Sequence, residues 1–171
     1  VPEMFTKGLL EDVTQYATQY KSNYSGAFSQ MGVGGKYFGL PQDTGPLVYY
    51  YNKAEFEKLG IKVPTNLEEF KAAAKTAAAQ GKYISAFETD EAQFGLSAQA
   101  AAAGGVWYKA ENDKWTVKID DASAKTVADF WQSMLDDKTT LVAERWGDSF
   151  TKALTDKTLI GTIGAAWEAP L

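Results

Sequence analysis

Short apolar segments alternate with helical segments from about residue 45 onward, and this alternation limits the folds open to the chain. The strand-like runs are LVYYY at 47–51, YISAF at 83–87, WTVKI at 115–119 and the final LIGTIG. Residues with helical spacing or alanine-rich runs lie between them. Alternation of this kind predicts an α/β fold with a largely parallel sheet.

Helix boundaries follow from capping patterns. Thr65 with Glu68 three residues later forms a capping box, and the alanine-rich run after it predicts a helix through Gln80. Asp120 or Asp121 is expected to cap another helix. Further helices are predicted over residues 53–59, about 92–103 and 148–155.

Several apolar residues are expected in the core. The helix after Asp121 carries four large apolar residues on one face, namely Val127, Phe130, Trp131 and Met134. Trp115 opens an alternating strand, where packing against the core is the default expectation. The run at 47–51 is aromatic and β-branched, which predicts a strand buried on both faces.

The first 45 residues have a different pattern. Loose helical spacing over residues 9–24 decays into a polar loop, and AFSQMGVGGKYFGLP predicts two short strands about a Gly34–Gly35 turn. A Gly-Pro pair then introduces the next strand, which marks the best candidate for a domain boundary. The predicted division is therefore 1–45 and 46–171.

Composition excludes several classes of function. The net charge is −5 with acids and bases interspersed, so we expect no nucleic-acid partner. The sequence has no cysteine and no histidine, which excludes thiolate nucleophiles, serine-histidine-aspartate triads and zinc sites built on those ligands. We expect no cofactor or metal. No apolar run approaches the length that crosses a bilayer.

Two sets of residues are candidates for a site. Paired carboxylates could perform glycoside hydrolysis, although no spacing singles out a pair among Glu88, Asp90, Glu91, Glu144 and Glu168. Three of the five tryptophans lie at predicted element ends, where an indole can face a cleft: Trp107, Trp146 and Trp167. Taken singly, a tryptophan more often packs in a core than binds a ligand.

The order of these segments resembles a known family. The run YFGLPQDTGPLVYYYNKAEFEKLGI at 37–61, followed by VPTNLEEFKAAAK, is similar to the hinge and the start of the second lobe in family 1 extracellular solute-binding proteins. That family includes the maltodextrin-binding proteins, and it has a tryptophan where this chain has Asn66. The terminal DSFTKALTDKTLIGTIGAAWEAPL resembles the family's helix and strand that lead to a cleft tryptophan.

The resemblance implies a fold and a function. The fold would be the type II periplasmic-binding-protein fold, two α/β lobes joined by a hinge. Here it would be incomplete, a central fragment with part of lobe one in 1–45 and most of the first half of lobe two in 46–171. The implied protein is the substrate-binding component of an ABC importer that holds a carbohydrate, expected to be an oligosaccharide, and delivers it to permease subunits. It would be monomeric, not an enzyme, and extracytoplasmic, either periplasmic or a cell-surface lipoprotein whose signal and anchor lie outside this chain.

The resemblance also implies ligand-binding residues. Trp167 matches the cleft tryptophan, whose face would stack on a pyranose. The other positions that match segments lining the family's cleft, or that adjoin them, are Asp43, Thr44, Glu91, Gln93, Phe94 and Glu168. Two alternatives remain open at this point: a carbohydrate-active hydrolase, and a non-transport receptor for a sugar or peptide on the same fold.

Overall fold

The computed structural model describes residues 1–111 and 114–169. The chain divides into two compact units, Val1–Pro46 and Leu47–Leu171, and each has its own local packing. Among the described residues, no helix is long and apolar enough to cross a membrane.

The first unit is made of short elements. They are α1 (Pro2–Thr6), α2 (Thr14–Ala17), 3₁₀ turns at Thr18–Asn23 and Ala27–Met31, and the hairpin of β1 (Gly32–Val33) and β2 (Lys36–Tyr37). The predicted turn is confirmed, because Gly34 and Gly35 both have positive φ, 59° and 79°. The loose helical pattern over 9–24 gives only one turn of α-helix before the 3₁₀ turn.

The second unit contains the remaining strands and helices. Its strands are β3 (Val48–Tyr51), β4 (Ala86–Glu88), β5 (Tyr108–Glu111), β6 (Lys114–Val117), β7 (Leu141–Ala143) and β8 (Gly161–Gly164). Its helices are α3 (Lys53–Leu59), α4 (Leu67–Ala78), α5 (Ala92–Ala102), α6 (Ala122–Asp136) and α7 (Asp148–Thr155). A last 3₁₀ turn covers Ala166–Glu168.

One predicted cap is shifted by a residue. Asn66, not Thr65, is the N-cap of α4, and its side chain accepts the Glu69 backbone N–H at 2.9 Å. The Glu69 carboxylate accepts both the backbone N–H and the hydroxyl of Thr65, so a box-like reciprocal pattern is still formed. The choice between Asp120 and Asp121 is also settled, since Asp121 caps α6.

Two pairs of strands in the second unit are linked by a single bridge. β4 pairs with β7 in parallel, and β3 pairs with β8 antiparallel. A parallel bridge between Tyr83 and Leu159 joins the two pairs, so β8, β4 and β7 run in one direction. The prediction of a largely parallel sheet holds for these three strands, while β3 runs against them. The hairpin of β5 and β6 is separate.

The helices cover an apolar core, and the structure corrects two packing predictions. The four large residues on the α6 face are buried as predicted, together with Phe56 and Ile84. Trp115, however, is 73% exposed on β6, so it does not pack in the core. β3 is not buried on both faces either, because Val48 and Tyr51 are exposed.

Candidate functional site

Three strands of the second unit end at one edge of the sheet. Because β4, β7 and β8 run parallel, the residues that follow them meet there, at the edge where open α/β sheets bind ligands. Glu88 is the last residue of β4, Arg145 follows β7 by two positions, and Glu168 follows β8 by four.

Arg145 is at the centre of a buried ion cluster. Its side chain is 2% exposed and reaches three carboxylates. Its Nη1 lies 2.6 Å from Glu88 Oε1, its Nη2 forms an ion pair with Glu168, and its Nε lies 3.7 Å from Glu91 Oε2. The backbone N–H of Arg145 donates to Asp90 Oδ1 at 2.9 Å. One positive charge is thus shared among several acids.

Glu168 is held firmly within this cluster. One carboxylate oxygen binds Arg145, and the other accepts the hydroxyl of Thr162 on β8. Gly164 makes the approach possible, since a Cβ at that position would lie 2.8 Å from Arg145 Nη2 and 2.9 Å from Glu168 Cδ. Glu168 is therefore buried and engaged rather than solvated.

The excess of acid changes the titration of Glu88. Burial raises the pKa of Glu88 from 4.5 to about 7, and the nearby negative charges of Glu168 and Glu91 add to the effect. Arg145 acts in the opposite direction, but its single charge is divided among three carboxylates. Asp90 behaves differently: its pKa is lowered, chiefly because it accepts the backbone N–H of Arg145.

Two exposed indoles, Trp146 and Trp167, adjoin residues of the buried cluster along the chain. Trp146 donates its indole N–H to Glu91 Oε1 at 2.8 Å, and the Arg145 guanidinium carbon lies 5.7 Å from its ring centroid. Trp167 is 49% exposed although both Ala165 and Glu168 near it are buried. Large exposed rings on a rigid, charged base provide apolar faces beside fixed polar groups.

The structure brings five of the seven sequence-predicted residues into this region. Glu91 is in the cluster, and its carbonyl accepts the backbone N–H of Phe94, an exposed residue in the first turn of α5. Gln93 is exposed on the same turn. Glu168 and Trp167 follow β8. Asp43 and Thr44 belong to the first unit, where both are exposed.

The sequence did not lead us to Arg145, the residue that contacts the carboxylates from the ends of β4 and β8. A signal was present, because Arg145 is the single arginine in a sequence whose other strong bases are all lysines. An arginine fork can bind several carboxylates at once, which a lysine ammonium does less well. Within the described part of the chain, no group of three or more acidic, histidine or cysteine side chains is arranged to hold a metal ion.

The chain belongs to the bacterial extracellular solute-binding proteins, because the profile of that family matches residues 1–171. Its similarity to one solved member is high. The galacto-N-biose-/lacto-N-biose I-binding protein of the ABC transporter from Bifidobacterium longum, solved in complex with lacto-N-biose, is 56% identical, with a TM-score of 0.89. The alignment covers 99% of this chain and 42% of that chain.

Two further solved structures are similar. The ABC transporter associated binding protein from B. animalis subsp. lactis Bl-04, in complex with β-1,6-galactobiose, is 26% identical with a TM-score of 0.84, and 97% of this chain and 42% of that chain are covered. The GacH receptor of Streptomyces glaucescens is 20% identical with a TM-score of 0.79, over 96% and 42% of the two chains, and supports the α/β periplasmic-binding-protein fold alone.

The chain spans about 42% of the length of these solved relatives. Among curated proteins, no sequence matches it. The family and the solved relatives are binding proteins.

Proposed function

We propose that this chain is part of the substrate-binding component of an ABC importer, which captures a carbohydrate, an oligosaccharide in particular, and delivers it to permease subunits in the membrane. The proposal is supported by 56% identity to a binding protein solved with lacto-N-biose. We further propose that residues 1–45 and 46–171 belong to two lobes that close about the ligand. The protein acts as a monomer outside the cytoplasm, in the periplasm or as a cell-surface lipoprotein.

The observation that carries the carbohydrate assignment is the exposure of Trp167. An indole left 49% exposed beside buried neighbours has a face open to a ligand. The apolar face of a pyranose fits such a ring, while its hydroxyls need fixed hydrogen-bonding groups nearby. Glu91 and the cluster around Arg145 supply fixed polar groups at the same edge of the sheet.

The remaining candidate residues complete the proposed site. Phe94 is an exposed ring near Glu91, and Gln93 offers an amide that both donates and accepts. Asp43 and Thr44 of the first unit would contact hydroxyls from the other lobe. We assign Glu168 a supporting role, because both of its carboxylate oxygens are already engaged within the protein.

The arrangement of the carboxylates favours ligand binding over hydrolysis. A glycosidase needs one free acid and one free base or nucleophile on opposite sides of the scissile bond. Glu88, Glu91 and Glu168 instead converge on one guanidinium, which engages and restrains all three. The proposed role is therefore that of a receptor that closes on its ligand and is not an enzyme.

The test is calorimetric titration of the full-length polypeptide with lacto-N-biose, β-1,6-galactobiose, maltose, and a set of amino acids and short peptides. We expect saturable binding of one sugar class. Trp167→Ala should weaken it at least about tenfold, since a stacked aromatic contributes on the order of 1 kcal/mol or more beyond its buried area.

Trp115→Ala is the matched control, because Trp115 is the more exposed indole and lies on the separate β5–β6 hairpin. Its affinity should stay within a factor of about two of wild type. Equal weakening by both substitutions would contradict the assignment. Binding of peptides alone would replace the proposed carbohydrate ligand by a peptide. Turnover of a chromogenic glycoside would favour the hydrolase. Failure to bind the permease would favour a non-transport receptor.

A further inference from the structure

We propose that Arg145 is a positioning residue of the ligand site, which fixes the indoles of Trp146 and Trp167 relative to each other through Glu91 and Glu168. The inference rests on the proposed function and deepens it. Arg145 is 2% exposed, so it acts on the ligand only through the residues that it holds.

The first arm of this arrangement is the path of contacts from Arg145 through Glu91 to Trp146. Glu91 uses one carboxylate oxygen to accept the Trp146 indole N–H at 2.8 Å, while its other oxygen lies 3.7 Å from Arg145 Nε. The guanidinium also lies 5.7 Å from the centre of the Trp146 ring. The side chain is thus restrained at its polar edge by a hydrogen bond and at its face by a cation.

The second arm runs to Trp167. Its neighbour Glu168 is tied to Arg145 by one oxygen and to Thr162 by the other, which fixes the 3₁₀ turn on β8. Trp167 sits within that turn, and its backbone direction is set by the buried glutamate.

The geometry explains why this position holds the sole arginine. Three different nitrogens of the guanidinium face three carboxylates, two at the end of β4 and one in the turn after β8. A lysine has one ammonium at the end of a flexible stem and cannot keep three separate directions at once. Arg145→Lys therefore preserves the charge but removes the fixed directions.

A merely structural ion cluster makes a different prediction. It would change stability without changing the relation between the two tryptophans and the ligand. The distinguishing readouts are the local environment of each indole and the energetic coupling between Arg145 and Trp167, which a double-mutant cycle measures.

The first experiment uses ligand-free full-length protein labelled with 5-fluorotryptophan, with resonances assigned by single Trp→Phe substitutions. In Arg145→Lys, the fluorine resonances of Trp146 and Trp167 should shift or broaden, while that of Trp115 stays unchanged. Unchanged Trp146 and Trp167 resonances in a folded variant would overturn the proposal. Lys152→Ala, which removes an exposed ion pair on α7, is the control that should alter none of them.

Glu91→Ala is the second variant, because its half-buried side chain makes it safer for folding than Arg145. It breaks only the first arm, so it should change the Trp146 resonance and leave that of Trp167 in place. Equal change at both indoles, or at neither, would contradict the two-arm arrangement. Circular dichroism melts confirm that each variant is folded.

The second experiment measures the dissociation constant for lacto-N-biose in four proteins: wild type, Arg145→Lys, Trp167→Ala and the double variant. When Trp167 is present, Arg145→Lys should weaken binding about tenfold, which is the scale of one ordered charged hydrogen bond. In the Trp167→Ala background, the same substitution should weaken binding much less. The same loss in both backgrounds would overturn the positioning role. If wild type does not bind lacto-N-biose, the proposed ligand class fails, while the fluorine spectra still decide whether Arg145 fixes the indoles.

Discussion

Two glutamates of the second unit are almost equally buried, yet their surroundings differ. Glu55 on α3 is 6% exposed and Glu168 is 5% exposed. Glu55 has two lysine partners, Lys58 at 2.6 Å and Lys82 at 3.9 Å, and the Lys58 side chain remains 66% exposed. Glu168 instead pairs with Arg145, which is itself buried and already bound to other acids.

The balance of charge separates the two clusters. Bases exceed acids around Glu55, so its pKa is lowered, first by the hydrogen bond from Lys58. Acids exceed bases around Arg145, and the pKa of Glu88 is raised, first by burial and then by the neighbouring carboxylates. An ion pair whose lysine is exposed and whose glutamate has a second cation nearby needs no special explanation. A buried cluster short of cations is costly to maintain, which points to a role beyond stability.

Replacement of Arg145 should have the largest effect on the free energy of unfolding. Arg145→Leu leaves several buried carboxylates without a cation and should reduce the free energy of unfolding by about 3–5 kcal/mol. Lys58→Met should cost far less, because Lys82 remains near Glu55. Urea unfolding at pH 8 measures both, and equal losses would remove the distinction between the clusters.

Repeating the urea unfolding of Arg145→Leu at lower pH separates the effect of charge from the effect of packing. Without Arg145 the buried carboxylates take up protons more readily, so Arg145→Leu should recover part of its lost stability at pH 5. No recovery would show that the loss comes from packing of the arginine stem and not from uncompensated charge.

Gly164→Ala should have the next largest effect, about 1–3 kcal/mol, because the added methyl overlaps Arg145 and Glu168. Gly95→Ala is the matched control. Gly95 lies inside α5 with only the Gln99 side chain within 4 Å of the added methyl, so alanine should stabilise the helix by up to about 1 kcal/mol. Thermal melts of the two variants should therefore move in opposite directions.

The pH dependence of stability should have opposite signs at the two clusters. Folded Glu88 holds its proton to about pH 7, whereas the unfolded group loses it near 4.5, so stability falls as the pH rises through this window. The change is on the order of 1 kcal/mol, because partial hydration screens the carboxyl. Glu88→Gln should remove it in denaturation curves at pH 5 and 8.

Glu55 provides the contrast in the same curves. Its folded pKa is lowered, so its contribution is present above the unfolded value of 4.5 and is lost as the pH falls further. Glu55→Gln should therefore alter stability above pH 5 and leave the slope between pH 5 and 8 as it is in wild type. A changed slope in that window would mean that the two clusters are not independent.

Added salt should change the stability differences between variants and wild type by the smallest amount. At 1 M the Debye length is about 3 Å, so the attraction between Glu55 and the exposed Lys58 ammonium is strongly screened. The difference between Lys58→Met and wild type should shrink when NaCl is raised from about 0.1 to 1 M. The difference for Arg145→Leu should persist, because that guanidinium is buried. Parallel shrinkage of both would contradict the burial argument.

The sequence was sufficient for elements whose signal is local. The range of α7 and the buried face of α6 follow from spacing and caps, and Trp167 was singled out by resemblance. Arg145 was not found, because it follows β7 while its partners lie at the ends of β4 and β8, and the adjacency of these three strand ends depends on strand order. The errors at Trp115 and Val48 have the same origin, since alternation marks a strand but not which neighbour covers its faces.

The sequence separation of the ion pairs has a kinetic consequence. Arg145 lies 57 residues from Glu88 and 23 residues from Glu168 along the chain. The cluster can close only after β4, β7 and β8 have met, so it forms among the late, long-range contacts of folding. During synthesis Glu88 leaves the ribosome well before its cation, and the recognition surface of this unit remains unassembled until the segment after β8 has emerged.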